Sequence, residues 1–181
     1  MVKKIKTKIK DLFILKGKTY FDYRGFLREA FKIKHINKRI IFSIVSKSKK
    51  NVIRGLHFQS KNPQDKLIIV LKGKILDVAI DLRKNSKTFG KHHKVILSDK
   101  NCKSFFIPKG FAHGFLSLEK DTIVLYGCSN YRDKNSEVSI KWNDKDLGVN
   151  WGIKNPILSK KDKKAPSFEI AKKKLNKIRI N

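Results

Sequence analysis

Short runs of apolar and β-branched residues, separated by turn signals, fill the middle of this sequence. The run 67–71, Leu-Ile-Ile-Val-Leu, is shorter than an ordinary helix and is typical of a strand buried on both faces. Turn segments such as 72–73 and 108–110, which contain glycine or proline, end these runs. The predicted strands are residues 40–45, 52–58, 67–71, 75–82, 94–97, 104–107 and 122–128. Short strands at this spacing predict an all-β sandwich or jelly roll with little helix.

The chain length suits a single domain, which we predict to span residues 1–181. The 40% hydrophobic content allows a core that offsets the entropy of ordering the backbone. The last stretch, about 169–181, is basic with interspersed apolar residues, which predicts a terminal helix or a frayed tail without a functional role. Two cysteines, Cys102 and Cys128, are too few for a disulfide framework and favour a reducing compartment.

Targeting signals are also weak in this sequence. The apolar run at 12–15 is shorter than the ~7–15 apolar residues of an export signal. No stretch approaches the ~20 apolar residues of a membrane span. We therefore predict a cytoplasmic protein without a membrane partner.

The net charge of +29 is the most pronounced compositional feature. A basic surface attracts polyanions such as nucleic acids, anionic membranes or phosphorylated small molecules. The excess is nearly all lysine, spread along the chain, with only seven arginines, although bidentate recognition of bases and phosphates favours arginine. This pattern favours an ordinary surface rich in lysine and predicts no nucleic-acid partner.

Several polar residues interrupt strand-like apolar segments. Arg54 and His57 lie within residues 51–59, Lys66 opens the apolar run 67–71, and His113 follows a Pro-x-Gly-x-x-His turn that we expect to precede a strand. A charge inside a β-sandwich is costly unless it meets a counter-charge or lines a cavity. Taken singly, each residue also fits a structural role, His57 as a hydrogen-bonded core histidine and Lys66 as a solvated strand edge.

Taken together and in order, these segments resemble the dTDP-4-dehydrorhamnose 3,5-epimerase family of cupins. The resemblance runs from about residue 20 to residue 168. The matching segments are 21–29, 53–59, 63–67, 77–83, 86–90, 107–115, 142–144, 156–159 and 161–162. The resemblance implies a cupin jelly roll, or double-stranded β-helix, with short flanking helices. It also implies an isomerase without a cofactor or a metal, which inverts C3 and/or C5 of a nucleotide-linked 4-keto-6-deoxy sugar through an enolate.

The resemblance assigns catalytic roles to four residues. His57 matches the histidine that removes the sugar proton, and Asp162 matches the aspartate that orients its ring. A neutral imidazole is well suited to remove a proton next to a ketone. Lys66 is placed to stabilise the enolate oxygen, and Tyr126 matches the acid that returns a proton on the opposite face of the sugar.

Further positions match substrate-binding residues of the family. The predicted substrate-binding residues are Arg24, Glu29, Arg54, Gln59, His113, Glu137 and Lys161. Of these, Arg54 and His113 match contacts to the pyrophosphate and sugar. In the family, the residues that match Arg24 and Glu29 reach across from the partner subunit of a homodimer. We therefore expect a homodimer with shared active sites.

The chain also departs from the family pattern. Phe42 and Ile44 stand where the family usually has glutamine and asparagine, and Tyr131-Arg132 stands where it often has two tyrosines. These differences affect which nucleotide and which sugar substituents the site accepts, and whether C3, C5 or both centres are inverted. An alternative interpretation is therefore a 3-only or 5-only epimerase that acts on a different nucleotide 4-keto sugar.

Three other functions compete with an epimerase. A metal-dependent cupin typically needs a His-x-His pair with a carboxylate and a later histidine, whereas His57-Phe58-Gln59 lacks the second histidine. His92 and His93 are expected on opposite strand faces at the surface. A basic nucleic-acid-binding module would need clustered basic residues with exposed aromatics. An inactive sugar-nucleotide binder would not need the matched acid and base.

The resemblance also implies a biosynthetic context. We expect deoxysugar synthesis for surface polysaccharide such as lipopolysaccharide, after a dehydratase and before a ketoreductase.

Overall fold

Two antiparallel β-sheets packed face to face form the centre of the protein. A computed structural model describes residues 2–176. The strands are β1 (Lys3–Lys6), β2 (Phe13–Lys16), β3 (Thr19–Asp22), β4 (Gly25–Arg28), β5 (Phe42–Ser48), β6 (Ile53–Gln59), β7 (Lys66–Lys72), β8 (Lys74–Asp81), β9 (His92–Ser98), β10 (Lys103–Ile107), β11 (Phe111–Ser117), β12 (Thr122–Cys128) and β13 (Glu137–Ser139). The helices are α1 (Ile33–Ile36), α2 (Lys160–Lys163) and α3 (Phe168–Asn176).

The strand order is that of a jelly roll. A six-stranded sheet has the order β1-β2-β10-β7-β12-β5, and a five-stranded sheet has the order β13-β6-β11-β8-β9. Strands β3 and β4 form a separate hairpin. Neighbours in each sheet come from distant parts of the chain, so residues far apart in sequence meet between the sheets.

Both faces of the six-stranded sheet are buried along β7. Ile68 and Val70 belong to the apolar cluster that fills the space between the sheets. Leu67 and Ile69 point the other way and pack with Ile36 of α1. This alternation confirms a strand buried on both faces over residues 67–70, whereas Leu71 at the end of the predicted run is 49% exposed.

The outer face of the five-stranded sheet is covered by the last quarter of the described chain. Trp151 and Phe168 pack there against Leu56 and Ile80. The segment is tied to β6 by a backbone hydrogen bond from Ile53 N–H to Ile157 O at 3.0 Å. This attachment brings α2, which follows within three residues, alongside β6.

The predicted strands are all present, and all but one have shifted ends. The strand 122–128 has the predicted bounds. The expectation that His113 precedes a strand is wrong, because β11 begins at Phe111 and contains it. Strands β1 to β4 and β13 were not predicted. The terminal segment is helical as far as residue 176, and the rest of the predicted tail, 177–181, lies outside the described residues. No helix within residues 2–176 has the length and apolar character needed to cross a membrane.

The two adjacent histidines of β9 point to opposite faces, as predicted. Their predicted surface location holds only in part, since both side chains are partly buried. The ring of His93 faces the ring of the buried Phe105, with centroids 5.9 Å apart. His92 Nδ1 lies 3.1 Å from the carbonyl oxygen of Leu147. Burial lowers the pKa of both imidazoles.

Candidate active site

A cavity of about 320 Å³ opens between the two sheets near one end of the sandwich. Strands β6, β11 and β13 supply one wall, strands β5, β7 and β12 supply the facing wall, and α2 closes part of the rim. The predicted site residues that line it are Arg54, His57, Gln59, Lys66, His113, Tyr126, Glu137, Lys161 and Asp162. The fold therefore brings together positions that span more than half of the sequence.

A bulge in β6 places Arg54 and His57 on the same wall. Residues three apart on a regular strand point to opposite faces. The register between β6 and β11 shifts, since His57 pairs with His113 whereas Arg54 pairs with Phe115. The extra residue on β6 lies at Gly55, whose φ is +122°. Both polar side chains reach the cavity because of this local change in register.

The imidazole of His57 is held by Asp162. Their Nε2 and Oδ1 atoms are 2.6 Å apart, and the Asp162 side chain is only 4% exposed. Ser159 caps α2, since its hydroxyl accepts a hydrogen bond from the backbone N–H of Asp162 and donates one to the carboxylate. Burial alone would raise the pKa of Asp162, but the His57 and Ser159 contacts outweigh it and lower the pKa. An ionised carboxylate that holds an imidazole is the arrangement of a general base and its orienting group.

Lys66 enters the cavity from the first residue of β7. Burial lowers the pKa of its ammonium group, while nearby Cys128, Glu137 and Asp77 partly oppose that shift. Among the described residues, no carboxylate forms a salt bridge with Lys66. Its charge is therefore available to an anionic oxygen that enters the cavity.

Tyr126 lies on β12 in the wall that faces His57. Its phenol oxygen is 3.2 Å from the hydroxyl of Ser46, which comes from the inward face of β5. Burial raises the pKa of this phenol, and the Ser46 hydrogen bond only partly opposes the rise. Tyr126 is therefore a protonated group at neutral pH, as a proton donor requires.

The carboxylate of Glu137 joins two cations at the rim. Its Oε2 atom accepts hydrogen bonds from Arg132 at 3.0 Å and from Lys161 at 2.8 Å. Burial alone would raise the pKa of Glu137, but these hydrogen bonds lower it to about 2. This cluster ties the loop that follows β12 to helix α2 across the cavity rim.

Two other predicted binding residues are engaged by the protein itself. The amide of Gln59 donates to the carbonyl oxygen of Asn62 and accepts from the backbone N–H of Asp133, so it fixes two loops. Arg54 donates from Nε to the hydroxyl of Ser48 and from its terminal nitrogen to the carbonyl oxygen of Lys47. Arg54 is therefore held in place at the wall, and contacts of either residue with substrate stay predictions.

Comparison with known proteins identifies the group to which this architecture belongs. The sequence model of dTDP-4-dehydrorhamnose 3,5-epimerase matches residues 6–169. This chain belongs to that epimerase family. The dTDP-4-dehydrorhamnose 3,5-epimerase of Salmonella typhimurium is 43% identical over 175 residues, 92% of this chain and 96% of that protein.

Solved structures of epimerases have the same fold. The dTDP-6-deoxy-D-glucose-3,5-epimerase of Legionella pneumophila, solved in complex with dTDP-4-keto-L-rhamnose, has a TM-score of 0.92 at 39% identity over 97% of each chain. A double mutant of a 3'-monoepimerase from Streptomyces bikiniensis, in complex with dTDP, has a TM-score of 0.87 at 25% identity and covers 96% of this chain and 91% of that chain. These comparisons confirm the predicted cupin fold and the class of enzyme, a sugar epimerase.

Two predicted site residues of this epimerase-family chain lie away from its cavity. Arg24 is in the β3–β4 turn, where its guanidinium pairs with Asp22 at 2.6 Å and remains mostly exposed. Glu29 follows β4 and pairs with Lys32. Within one chain, neither residue lines the cavity that holds His57.

The departures from the epimerase family's usual residues cluster on one side of the site. Ile44 lines the cavity beside its cross-strand partner Tyr126. Phe42 lies further along the same face of β5 and packs against the ring of Tyr131, with centroids 5.9 Å apart. On the β5 side, the wall next to the predicted proton donor therefore combines the apolar side chain of Ile44 with the hydroxyl of Ser46.

Sequence reasoning missed three polar residues of the site. Ser46 bonds to the phenol of Tyr126, Ser159 fixes Asp162, and Asp77 bonds to His113. Ser159 lay in a matched segment and fits the pattern of a helix N-cap two residues before Lys161. Asp77 is the first residue of another matched segment and lies within the predicted strand 75–82. An acidic residue inside a buried strand needs a polar partner, which was the available indication of its contact with His113.

Proposed function

We propose that this protein inverts C3, C5 or both centres of a nucleotide-linked 4-keto-6-deoxy sugar by proton abstraction and return. The observation that carries the proposal is that His57 and Tyr126 line one cavity from opposite sheets. Inversion requires a base on one face of the sugar and an acid on the other. The placement of an oriented imidazole and a protonated phenol on facing walls supports this chemistry.

The first step removes a proton from a carbon next to the C4 ketone. His57 accepts that proton, and the Asp162 carboxylate stabilises the imidazolium that forms. Electrons from the broken C–H bond move to the C4 oxygen, which becomes an enolate. Lys66, a partly buried cation without a salt-bridge partner among residues 2–176, would stabilise that oxygen in a water-poor cavity. Tyr126 then donates its proton to the carbon from the other face, and the configuration is inverted.

The charged rim favours a nucleoside diphosphate as the group attached to the sugar. Arg54, Arg132 and Lys161 all line the cavity, and cationic side chains at close quarters bind pyrophosphate oxygens. The Legionella relative was solved with a dTDP-linked keto sugar, which supports the same class of ligand here. We propose a dTDP-linked sugar as the first substrate to test.

The β3–β4 hairpin supports a shared site in a homodimer. Tyr23 and Phe21 are 97% and 78% exposed, and Leu27 is 74% exposed. Large exposed apolar side chains concentrated in one hairpin of a small protein commonly mark an interaction surface. We propose that this hairpin packs on a second copy and places Arg24 and Glu29 at the partner's cavity.

Proton NMR in deuterated water with dTDP-4-keto-6-deoxyglucose tests the chemistry. In His57→Ala, deuterium incorporation at C3 and C5 is expected to fall at least about 100-fold, the usual minimum contribution of a general base. In Tyr126→Phe, exchange through His57 is expected to persist while inversion is lost, because only the donor on the second face is missing. His92→Ala, on β9 and outside the cavity, serves as the matched control. Undiminished incorporation in His57→Ala, or inversion that survives in Tyr126→Phe, would refute the assignment.

Co-expression of two inactive variants tests the shared site. A heterodimer of His57→Ala with Arg24→Ala contains one cavity that has both an intact His57 and an intact partner Arg24. Activity is therefore expected to return to at most half of wild type if Arg24 acts across the interface. If Arg24 acts within its own chain, both cavities of the heterodimer stay defective and no activity returns.

A single-centre epimerase is the second candidate. The apolar wall formed by Ile44 beside Tyr126 differs from the family's usual polar residues, and the Streptomyces bikiniensis relative is a 3'-monoepimerase. The same NMR experiment distinguishes the two candidates, since it shows which carbon exchanges. We also propose, from family membership, a cytoplasmic role in deoxysugar synthesis for surface polysaccharide.

A further inference from the structure

A second histidine–carboxylate pair, of which only the histidine lines the cavity, has no part in the mechanism above. Asp77 on β8 is 0% exposed, and its neighbours on the same face, Ile75 and Ala79, belong to the apolar cluster between the sheets. Its Oδ2 atom has no hydrogen-bond partner among the described residues. Burying a carboxylate in such surroundings costs free energy. The one hydrogen-bond partner that the described residues provide, at Oδ1, therefore indicates why this residue is retained there.

That partner is His113. The Nε2 atom of His113 lies 2.9 Å from Oδ1 of Asp77, and the imidazole is 4% exposed. Since Asp77 engages Nε2, the nitrogen left for a ligand is Nδ1. His113 lines the cavity, and its backbone pairs directly with that of His57.

His113 also lies next to the predicted proton donor. The rings of His113 and Tyr126 meet edge to face, with centroids 6.1 Å apart. A sugar hydroxyl held by Nδ1 would therefore sit beside the carbon that Tyr126 protonates. A fixed contact at that point orients the ring toward the phenol, which favours the chemical step.

We propose that Asp77 is a positioning residue, which keeps the Nε2 atom of His113 protonated and so presents Nδ1 to the sugar beside Tyr126. The proposal rests on the epimerase function proposed above and extends it to a residue behind the cavity wall. A carboxylate can only accept from Nε2–H. An asparagine at this position could instead donate to Nε2 and so favour the wrong tautomer, as it does for the aspartate of a Ser-His-Asp triad.

Asp77→Asn is the variant that tests this role, and Asp81→Asn is its matched control. Asp81 lies on the same strand and is also 0% exposed, but its carboxylate binds Arg83, Ser86 and Thr88 instead of a histidine of the cavity. We expect Asp77→Asn to lower kcat/KM about 10- to 100-fold, the loss typical of removing a residue that orients a functional histidine, mostly through kcat. Asp81→Asn is expected to lose stability while kcat/KM of the folded enzyme stays within about twofold.

Nitrogen-15 NMR of the imidazoles, without substrate, gives the readout that a purely structural role would not change. The signal of His113 is assigned by its loss in His113→Gln. In the wild type we expect Nε2 to carry the proton, and in Asp77→Asn we expect a shift toward the Nδ1–H form. A wild-type His113 found neutral with its proton on Nδ1 would overturn the proposal even if Asp77→Asn did not fold.

The two proposals fail in different ways. If the wild type exchanges no proton of any 4-keto nucleotide sugar, the epimerase function fails, and the nitrogen-15 spectra still decide the tautomer of His113. If the wild type is active and Asp77→Asn retains kcat/KM within about twofold, or loses no more than Asp81→Asn does, the positioning role of Asp77 is wrong and the epimerase function stands.

Discussion

Gly55 is the position where adding one methyl group is expected to damage both the fold and the site. A Cβ atom there would lie 2.5 Å from the Cα of Gly114 and 2.7 Å from the carbonyl oxygen of His113. Both contacts are to backbone, so no side-chain rotation relieves them. The φ of +122° is also one that residues with a Cβ atom rarely adopt.

The expected loss combines two costs. Holding a non-glycine residue in such a conformation costs about 1–3 kcal/mol, and forcing an extra carbon into a packed contact costs about 1–3 kcal/mol. Gly55→Ala should therefore lower the free energy of unfolding by about 2–6 kcal/mol, a large part of the ~5–15 kcal/mol typical of a folded domain. Relief of the contacts would also move His57 relative to Tyr126, so activity should fall with stability.

Gly25→Ala separates the two costs. Gly25 has a similar φ, +132°, but a Cβ atom there would meet nothing within 4 Å. Urea unfolding of both variants at one protein concentration measures the difference, which we expect to be about 1–3 kcal/mol, the steric part alone. If the two variants lost the same free energy within about 0.5 kcal/mol, the close approach of β6 and β11 would not be what requires glycine at this position.

Two further predictions concern groups whose pKa is shifted. The pKa of Glu137 is about 2 instead of the ordinary 4.5, so its bonds to Arg132 and Lys161 stabilise the fold above pH about 4.5 and cease to do so as the pH falls toward about 2. The gap in unfolding free energy between wild type and Glu137→Gln should narrow over that range, and a constant gap would contradict the assignment. Ser46→Ala should raise the pKa of Tyr126 further, because the Ser46 hydrogen bond opposes the effect of burial. Ultraviolet titration at alkaline pH, with Tyr126→Phe as the reference, should show no ionisation of Tyr126 in Ser46→Ala before the protein unfolds, and ionisation near the ordinary pKa of 10 would contradict the prediction.

The central strands could be predicted from the sequence because their apolar residues face two layers. The run 67–71 is apolar throughout, since β7 packs on both sides. By contrast, β1 consists of Lys3–Lys6 and is mostly exposed at a sheet edge. Its pairing with β2 depends on tertiary contacts, so local pattern alone did not reveal it.

The site was predicted in a similarly uneven way. The roles of His57, Lys66, Tyr126 and Asp162 came from resemblance, and the structure places all four at one cavity. No regular two-residue period could show that Arg54 and His57 share a face, because the register change at Gly55 depends on contact with Gly114 in another strand. The other two contacts also depend on long-range pairing. Ser46 reaches Tyr126 because β5 pairs with β12, and Asp77 reaches His113 because β8 pairs with β11.

The location of His57 and Tyr126 on different sheets has a consequence for how this protein can vary. No single strand or loop determines how far apart they stand, because the depth of the apolar filling between the sheets sets that spacing. Ile68 and Phe115, both in that filling, flank Tyr126 and act as spacers. A smaller or larger residue at either position would alter turnover by a change in sheet separation, although neither residue exchanges a proton.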